Sequence, residues 1–154
     1  MKRILGLVAA FAVTLSMVGC PANTSQLQKA ATASEQAVIV VQGFQQGEIL
    51  AYNQGKACDG TPNCLVISDE DHLFIQQSVK TIYTLDKTTN TCIAMAGSTA
   101  GAVTCANSAI ATVSQLQADG AMRLKSPTAK QDFALAMTGA KAALQVISTI
   151  LGGN

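Results

Sequence analysis

Apolar positions recur along this chain at helical spacing. In residues 26–53, Leu27, Ala30, Ser34, Ala37, Val41 and Phe44 alternate steps of three and four, which puts them on one helix face. The run Val38-Ile39-Val40-Val41 would also suit a strand, and Gly43 and Gly47 follow it, but the longer stripe favours a helix. Residues 54–67 read as a loop. Ser68-Asp69-Glu70-Asp71 then supplies a Ser cap with acids in the first turn, where they oppose the positive end of the helix dipole. Behind it His72, Ile75, Val79, Ile82 and Tyr83 share a face, predicting a helix to about Asp86. A third stripe, Val103, Ala106, Ile110 and Val113, ends near Asp119-Gly120. Ser126-Pro127 opens the last helix, with Pro where its missing N–H does no harm. Phe133, Met137, Ala140, Leu144, Ile147 and Leu151 follow in steps of four and three, and Gly152-Gly153 stops them. That stripe is too short for a long coiled coil and reads as one seam of a bundle. The pattern predicts an all-α fold: a small up-and-down bundle of about four helices in one domain, residues 26–151, with a short extra turn around Cys92.

One stretch complicates this picture. Residues 88–118 carry no charge, so a membrane span has to be weighed. The stretch is made of Ala, Gly, Ser and Thr with two Asn, rather than Leu and Ile, which makes transfer into lipid unfavourable. Gly97 and Gly101 match the small-xxx-small spacing of packed membrane helices. The composition favours a chain reversal at residues 97–101 over a span.

Residues 1–20 follow a different pattern. Lys2 and Arg3 precede an uncharged apolar run over residues 4–18, and Gly19-Cys20 closes it, the layout of an export signal. At about fifteen residues the run is short for an uncleaved anchor, which needs ~20. Ser16-Met17-Val18 also lacks the second small residue of an ordinary secretion site. The ending Leu15-Ser16-Met17-Val18-Gly19-Cys20 resembles the lipobox of bacterial lipoproteins. The resemblance covers these twenty residues, with Met17 where the family most often has Leu and Pro21 as an unusual second residue. It implies that residues 1–19 are removed and that Cys20 carries diacylglycerol, usually with a third acyl chain on its amine. Residues 20–25 would then be a tether, and the protein would face the periplasm or exterior. Pro21 in place of the Asp that retains some such lipoproteins at the inner membrane leans toward an outer membrane.

Removing the signal changes the charge and cysteine balance. Without Lys2 and Arg3 the chain has eight basic and nine acidic residues, and the basic ones are scattered. Nucleic-acid binding, which needs clustered Lys and Arg against phosphates, is set aside. Beyond residue 20 there are five aromatic residues and no Trp, so the core is built mainly from Ala, Val, Ile and Leu. With Cys20 assigned to lipid, Cys58, Cys64, Cys92 and Cys105 remain, an even number that reads as two disulfides with three pairings open. The simplest is Cys58 with Cys64, across a Gly- and Pro-containing turn, and Cys92 with Cys105. In a single straight helix residues 92 and 105 would stand ~20 Å apart. A disulfide needs their alpha carbons within about 7 Å, so this pair requires the reversal at 97–101. A zinc site is disfavoured because paired C-x2-C knuckles are missing.

The sequence carries little catalytic chemistry. His72, the one histidine, stands three residues after Asp69, so the two could face one ion. The simpler reading makes the acids dipole partners and leaves His72 half-buried. Ser98 comes one place too early for a G-x-S-x-G elbow, and no Gly-Lys-Ser or Gly-Lys-Thr phosphate loop is present. The expectation is a non-enzymatic lipoprotein without metal or cofactor, joined to the membrane through Cys20 and acting on an envelope protein partner. A carrier for a small apolar ligand in the bundle core is the alternative. A membrane-active role for residues 91–113 is the third reading.

Overall fold

The structure, a computed structural model, describes residues 26–56, 67–96 and 98–152. Four α-helices account for nearly all of them: α1 (Gln26–Lys56), α2 (Asp69–Met95), α3 (Thr99–Arg123) and α4 (Pro127–Gly152). Each packs on its neighbour in chain order and α4 closes onto α1, so the helices run up and down around one core. The chain is an all-α bundle, as the apolar stripes predict. Residues 1–25 and 57–66, and with them Cys20, Cys58, Cys64 and the side chain of Leu27, lie outside the described set.

The stripes bury themselves as expected on α1 and α4. Ala30, Ser34, Ala37 and Val41 of α1 are buried, and the branched run at 38–41 is helical with only Val41 fully inside. On α4 all six stripe residues from Phe133 to Leu151 are buried. Alanine makes up much of the contact surface, with Ala102, Ala106 and Ala109 on α3 and Ala129, Ala136 and Ala140 on α4. Short side chains at a helix contact let the two axes approach closely. The larger side chains come from α2, through Phe74, Ile75, Val79, Ile82 and Ile93, and from the α4 stripe, through Phe133, Met137, Leu144, Ile147 and Leu151.

Two expectations about boundaries and one about a buried face are corrected. First, α2 does not stop near Asp86 but continues to Met95, so Cys92 sits in its last turns rather than in a separate one. Thr88, Thr89, Asn90 and Thr91 are poor helix formers individually, but Thr89 and Ile93 are buried against the bundle and packing carries the helix through. Second, the buried line of α3 runs through Ala102, Cys105, Ala106, Ala109 and Val113, while Val103 and Ile110 are half-buried at its side. Third, α3 does not end at Gly120 but at Arg123. There the glycine is a packing residue, because a Cβ on it would lie 2.4 Å from ring carbons of Phe133. Phe133 in turn meets Phe44 at 5.9 Å and Phe74 at 5.6 Å between ring centres, an aromatic cluster joining α1, α2 and α4.

Both short connections are capped. The Ser98 hydroxyl accepts from the Gly101 N–H at 3.2 Å to start α3, and the Ser126 hydroxyl accepts from the Ala129 N–H at 3.3 Å to start α4. The reversal between α2 and α3 falls where the cysteines require it. Cys92 and Cys105 form a disulfide with alpha carbons 5.9 Å apart.

Candidate functional site

The far ends of α1 and α2, together with the turn between α3 and α4, gather most of the polar chemistry. Ser68 caps α2 by accepting from the Asp71 N–H at 3.0 Å. Asp71 is expected from sequence to serve the helix dipole, yet it is 1% exposed and its carboxylate reaches across the bundle. One oxygen accepts from the Lys125 N–H at 2.9 Å and the other from the Ser126 N–H at 3.0 Å. A buried carboxylate gains most when both oxygens accept from donors, and here the donors are backbone groups of a turn that would otherwise leave them unpaired. Leu124, also buried, plugs the turn beside it. On the outside Lys125 Nζ donates to Glu70 Oε2 at 2.5 Å, and this hydrogen bond, then the charge of Glu70, raises the Lys125 pKa above the ordinary lysine range. Both side chains are in solvent, so the pair adds little to stability. Arg123 lies over the Phe74 ring, 4.6 Å from its centre.

A ladder of side chains fills the seam between α1 and α2. Glu48 is buried, with one oxygen 2.7 Å from His72 Nδ1 and the other accepting from Gln76 Nε2 at 2.9 Å. Because a carboxylate has only lone pairs to offer, the ring hydrogen sits on Nδ1. Tyr52 stacks on the His72 ring with centres 3.8 Å apart and planes within 4°, and its hydroxyl donates to Asp69 at 2.7 Å. From Gln76 the ladder continues through Gln45, which donates to Gln76 Oε1 at 2.7 Å, to the Tyr83 hydroxyl at 3.1 Å. Further along the same seam Ser34 donates to Asp86.

This arrangement changes the reading of His72 and Asp69. The two do not converge on a common point: His72 is bonded to Glu48, and Asp69 to Tyr52. Among the described residues no group of three or more His, Cys, Asp and Glu is placed to hold a metal ion. Sequence reasoning missed Glu48, Tyr52 and the cross-bundle reach of Asp71. For the first two a signal was available, since the α1 stripe ending at Phe44 continues by steps of four through Glu48 and Tyr52. A carboxylate on a buried stripe calls for a partner on the facing helix.

Among the described residues, the gap found between the helices is small. A gap bounded by Ser34, Ala37, Ile82, Asp86, Val113 and Leu144 amounts to about 10 Å³, enough for one water. A wider groove of about 450 Å³ runs along the outside of α2 over Lys80, Thr84 and Thr88, and is open to solvent. Residues 91–113 form the end of α2 and the first part of α3. Among the described residues the helix long and apolar enough to cross a membrane is instead α4, within Pro127–Leu151 (mean hydropathy 1.4 over an 18-residue window), and its apolar stripe faces α1 and α3. At the charged end Leu50, Leu73 and Met122 stand exposed among the polar groups, Met122 at 74%. Comparisons with protein-family models, with curated proteins and with solved structures find no match for this chain.

Proposed function

We propose that this chain is a non-enzymatic envelope lipoprotein, tethered through Cys20, that presents the charged end of its bundle to another envelope protein. The observation that carries this reading is where the two ends point. Cys20 precedes α1 by six residues, so the tether leads into the N-terminal end of α1. The charged end, with Glu70, Arg123 and Lys125 around the exposed Leu50, Leu73 and Met122, is the opposite one. Exposed apolar side chains rimmed by charge suit a protein contact, where the apolar centre supplies affinity and the rim supplies selectivity. The Cys92–Cys105 disulfide supports an oxidising compartment. Retention of an apolar ligand in the core has less support, given the small gap between the helices.

Two measurements test the proposal. Intact mass of membrane-extracted protein should match residues 20–154 with diacylglyceryl and acyl groups, and a Cys20→Ser variant should lose them. A photo-crosslinking residue at Leu73 or Met122 should trap one defined envelope protein in living cells, while the same residue at Thr91 should not. Capture of nothing from either position, by protein shown to be lipidated, would sink the interaction role.

A further inference from the structure

The register of the helices shows what else lies near the tether. From the Phe44–Phe133 ring contact, α1 runs eighteen residues back to Gln26 and α4 runs eighteen forward to Leu151, about 27 Å each at 1.5 Å per residue. From the Ser34–Asp86 hydrogen bond, α1 runs eight residues back to Gln26 and α2 runs nine forward to Met95, about 12 and 14 Å. Gln26, Met95 and Leu151 therefore lie at one height, and the α2–α3 hairpin tip shares the end of the bundle from which the tether leaves. Six residues from Cys20 to Gln26 span at most about 20 Å.

The tip is chemically unlike the rest of the surface. It lies within residues 88–118, which carry no charge, and the charged side chains next in register are Lys29 and Glu35 on α1 and Asp86 and Lys87 on α2. Thr91, Ala94, Met95, Ser98, Thr99 and Ala100 are exposed, Met95 at 80%. The Cys92–Cys105 disulfide ties the two helices together just behind them. We propose that this hairpin tip rests on the lipid bilayer that holds Cys20, with the Met95 side chain inserted among the lipid headgroups. The proposal rests on the lipid anchor. Methionine is flexible and apolar enough to fill the irregular spaces of a headgroup layer, and small uncharged neighbours bring no ionic desolvation cost with them. A tether this short holds the tip at high local concentration against the bilayer, so a weak contact is sufficient. The disulfide keeps the two helix ends from splaying where they meet the membrane, and the charged end is then held outward.

The chain has no Trp, so single reporters can be placed at will. Lipidated full-length protein carrying Met95→Trp, and separately Met122→Trp, is reconstituted into phosphatidylcholine vesicles with brominated acyl chains. Vesicle flotation is followed alongside Trp emission. The expected result is flotation of both proteins, loss of most of the emission at 95 and none at 122. A Thr91→Trp variant repeats the tip measurement should the change at 95 disturb the hairpin. Flotation with unquenched emission at 91 and 95 would overturn the tip contact while leaving the anchor standing, and equal quenching at 95 and 122 would overturn the orientation. Failure to float would remove the anchor and this proposal together.

Discussion

The two ends of the bundle are closed by different means. At the charged end no covalent bond joins the described elements. The α3–α4 turn is held by the buried carboxylate of Asp71, α1 and α2 by the Glu48 ladder, and three helices by the Phe44, Phe74 and Phe133 rings. At the hairpin end a disulfide joins α2 to α3, and the hairpin itself, within residues 88–118, carries no charge. A hydrogen-bonded end is specific but depends on every partner being present, because each loss strands a buried group. A cross-linked end tolerates surface change but depends on redox conditions. The same fold therefore has one end sensitive to side-chain deletion and one sensitive to reductant.

Breaking the charged end should give the largest effect. Asp71→Ala leaves the Lys125 and Ser126 N–H groups without acceptors, and at about 1.5–3 kcal/mol for each hydrogen bond to a charged group the expected loss is roughly 3–6 kcal/mol, read from urea unfolding. If Lys125→Ala cost as much, the exterior Glu70 pair and not Asp71 would be holding the turn. At the other end, Cys92→Ala with Cys105→Ala releases a closed loop with a sequence separation of 13 and should cost about 3 kcal/mol, matched by adding reductant to the wild type. An effect of reductant on the double variant would place the redox sensitivity in another bond. Gly120→Ala should cost about 1–2 kcal/mol, since overpacking against Phe133 outweighs the roughly 1 kcal/mol gained in helix propensity. Gly43→Ala or Gly47→Ala, where a Cβ meets nothing within 4 Å, should stabilise by about 0.5–1 kcal/mol each. Equal signs at all three glycines would remove the distinction between packed and free positions.

The smallest effect concerns pH. Desolvation pushes the Asp132 carboxyl above the ordinary aspartate range, although the residue is exposed by area. Its folded form then holds a proton that the unfolded chain releases. Between the ordinary and the raised pKa the native state binds more protons, so stability falls slightly as pH rises through that window. Asp132→Asn should flatten this slope. Unfolding midpoints of the two proteins that diverge in the opposite sense on acidification would count against it.

What was legible in the sequence was periodic, and what was missed depended on partners far along the chain. The α4 stripe from Phe133 to Leu151 appears in the structure as read, because six apolar residues at steps of four and three leave one face to bury. The reversal behind Cys92 and Cys105 was also readable, since distance alone forbids that pair in a straight helix. Local signals failed at Gly120, which looks like a helix stop until Phe133 occupies the space beside it. They failed again at Asp71, where the cap context of Ser68 was correctly read but the acceptors serve a turn 54 and 55 residues away. Helix α2 ran past Asp86 because burial of Thr89 and Ile93 outweighs a run of weak helix formers.

The Asp71 clamp has a consequence for how this protein tolerates mutation. Its two acceptors contact only main-chain N–H groups, which nearly every residue type supplies. The identity of the side chain at 125 is therefore almost free, apart from Pro, which has no N–H to give. Position 71 has far fewer substitutes, because shortening, lengthening or neutralising the carboxylate breaks the fit. A library randomised at both positions and sorted for folded protein should return a broad mixture at 125 and nearly pure aspartate at 71, making a residue that never touches solvent the stricter determinant of a surface turn.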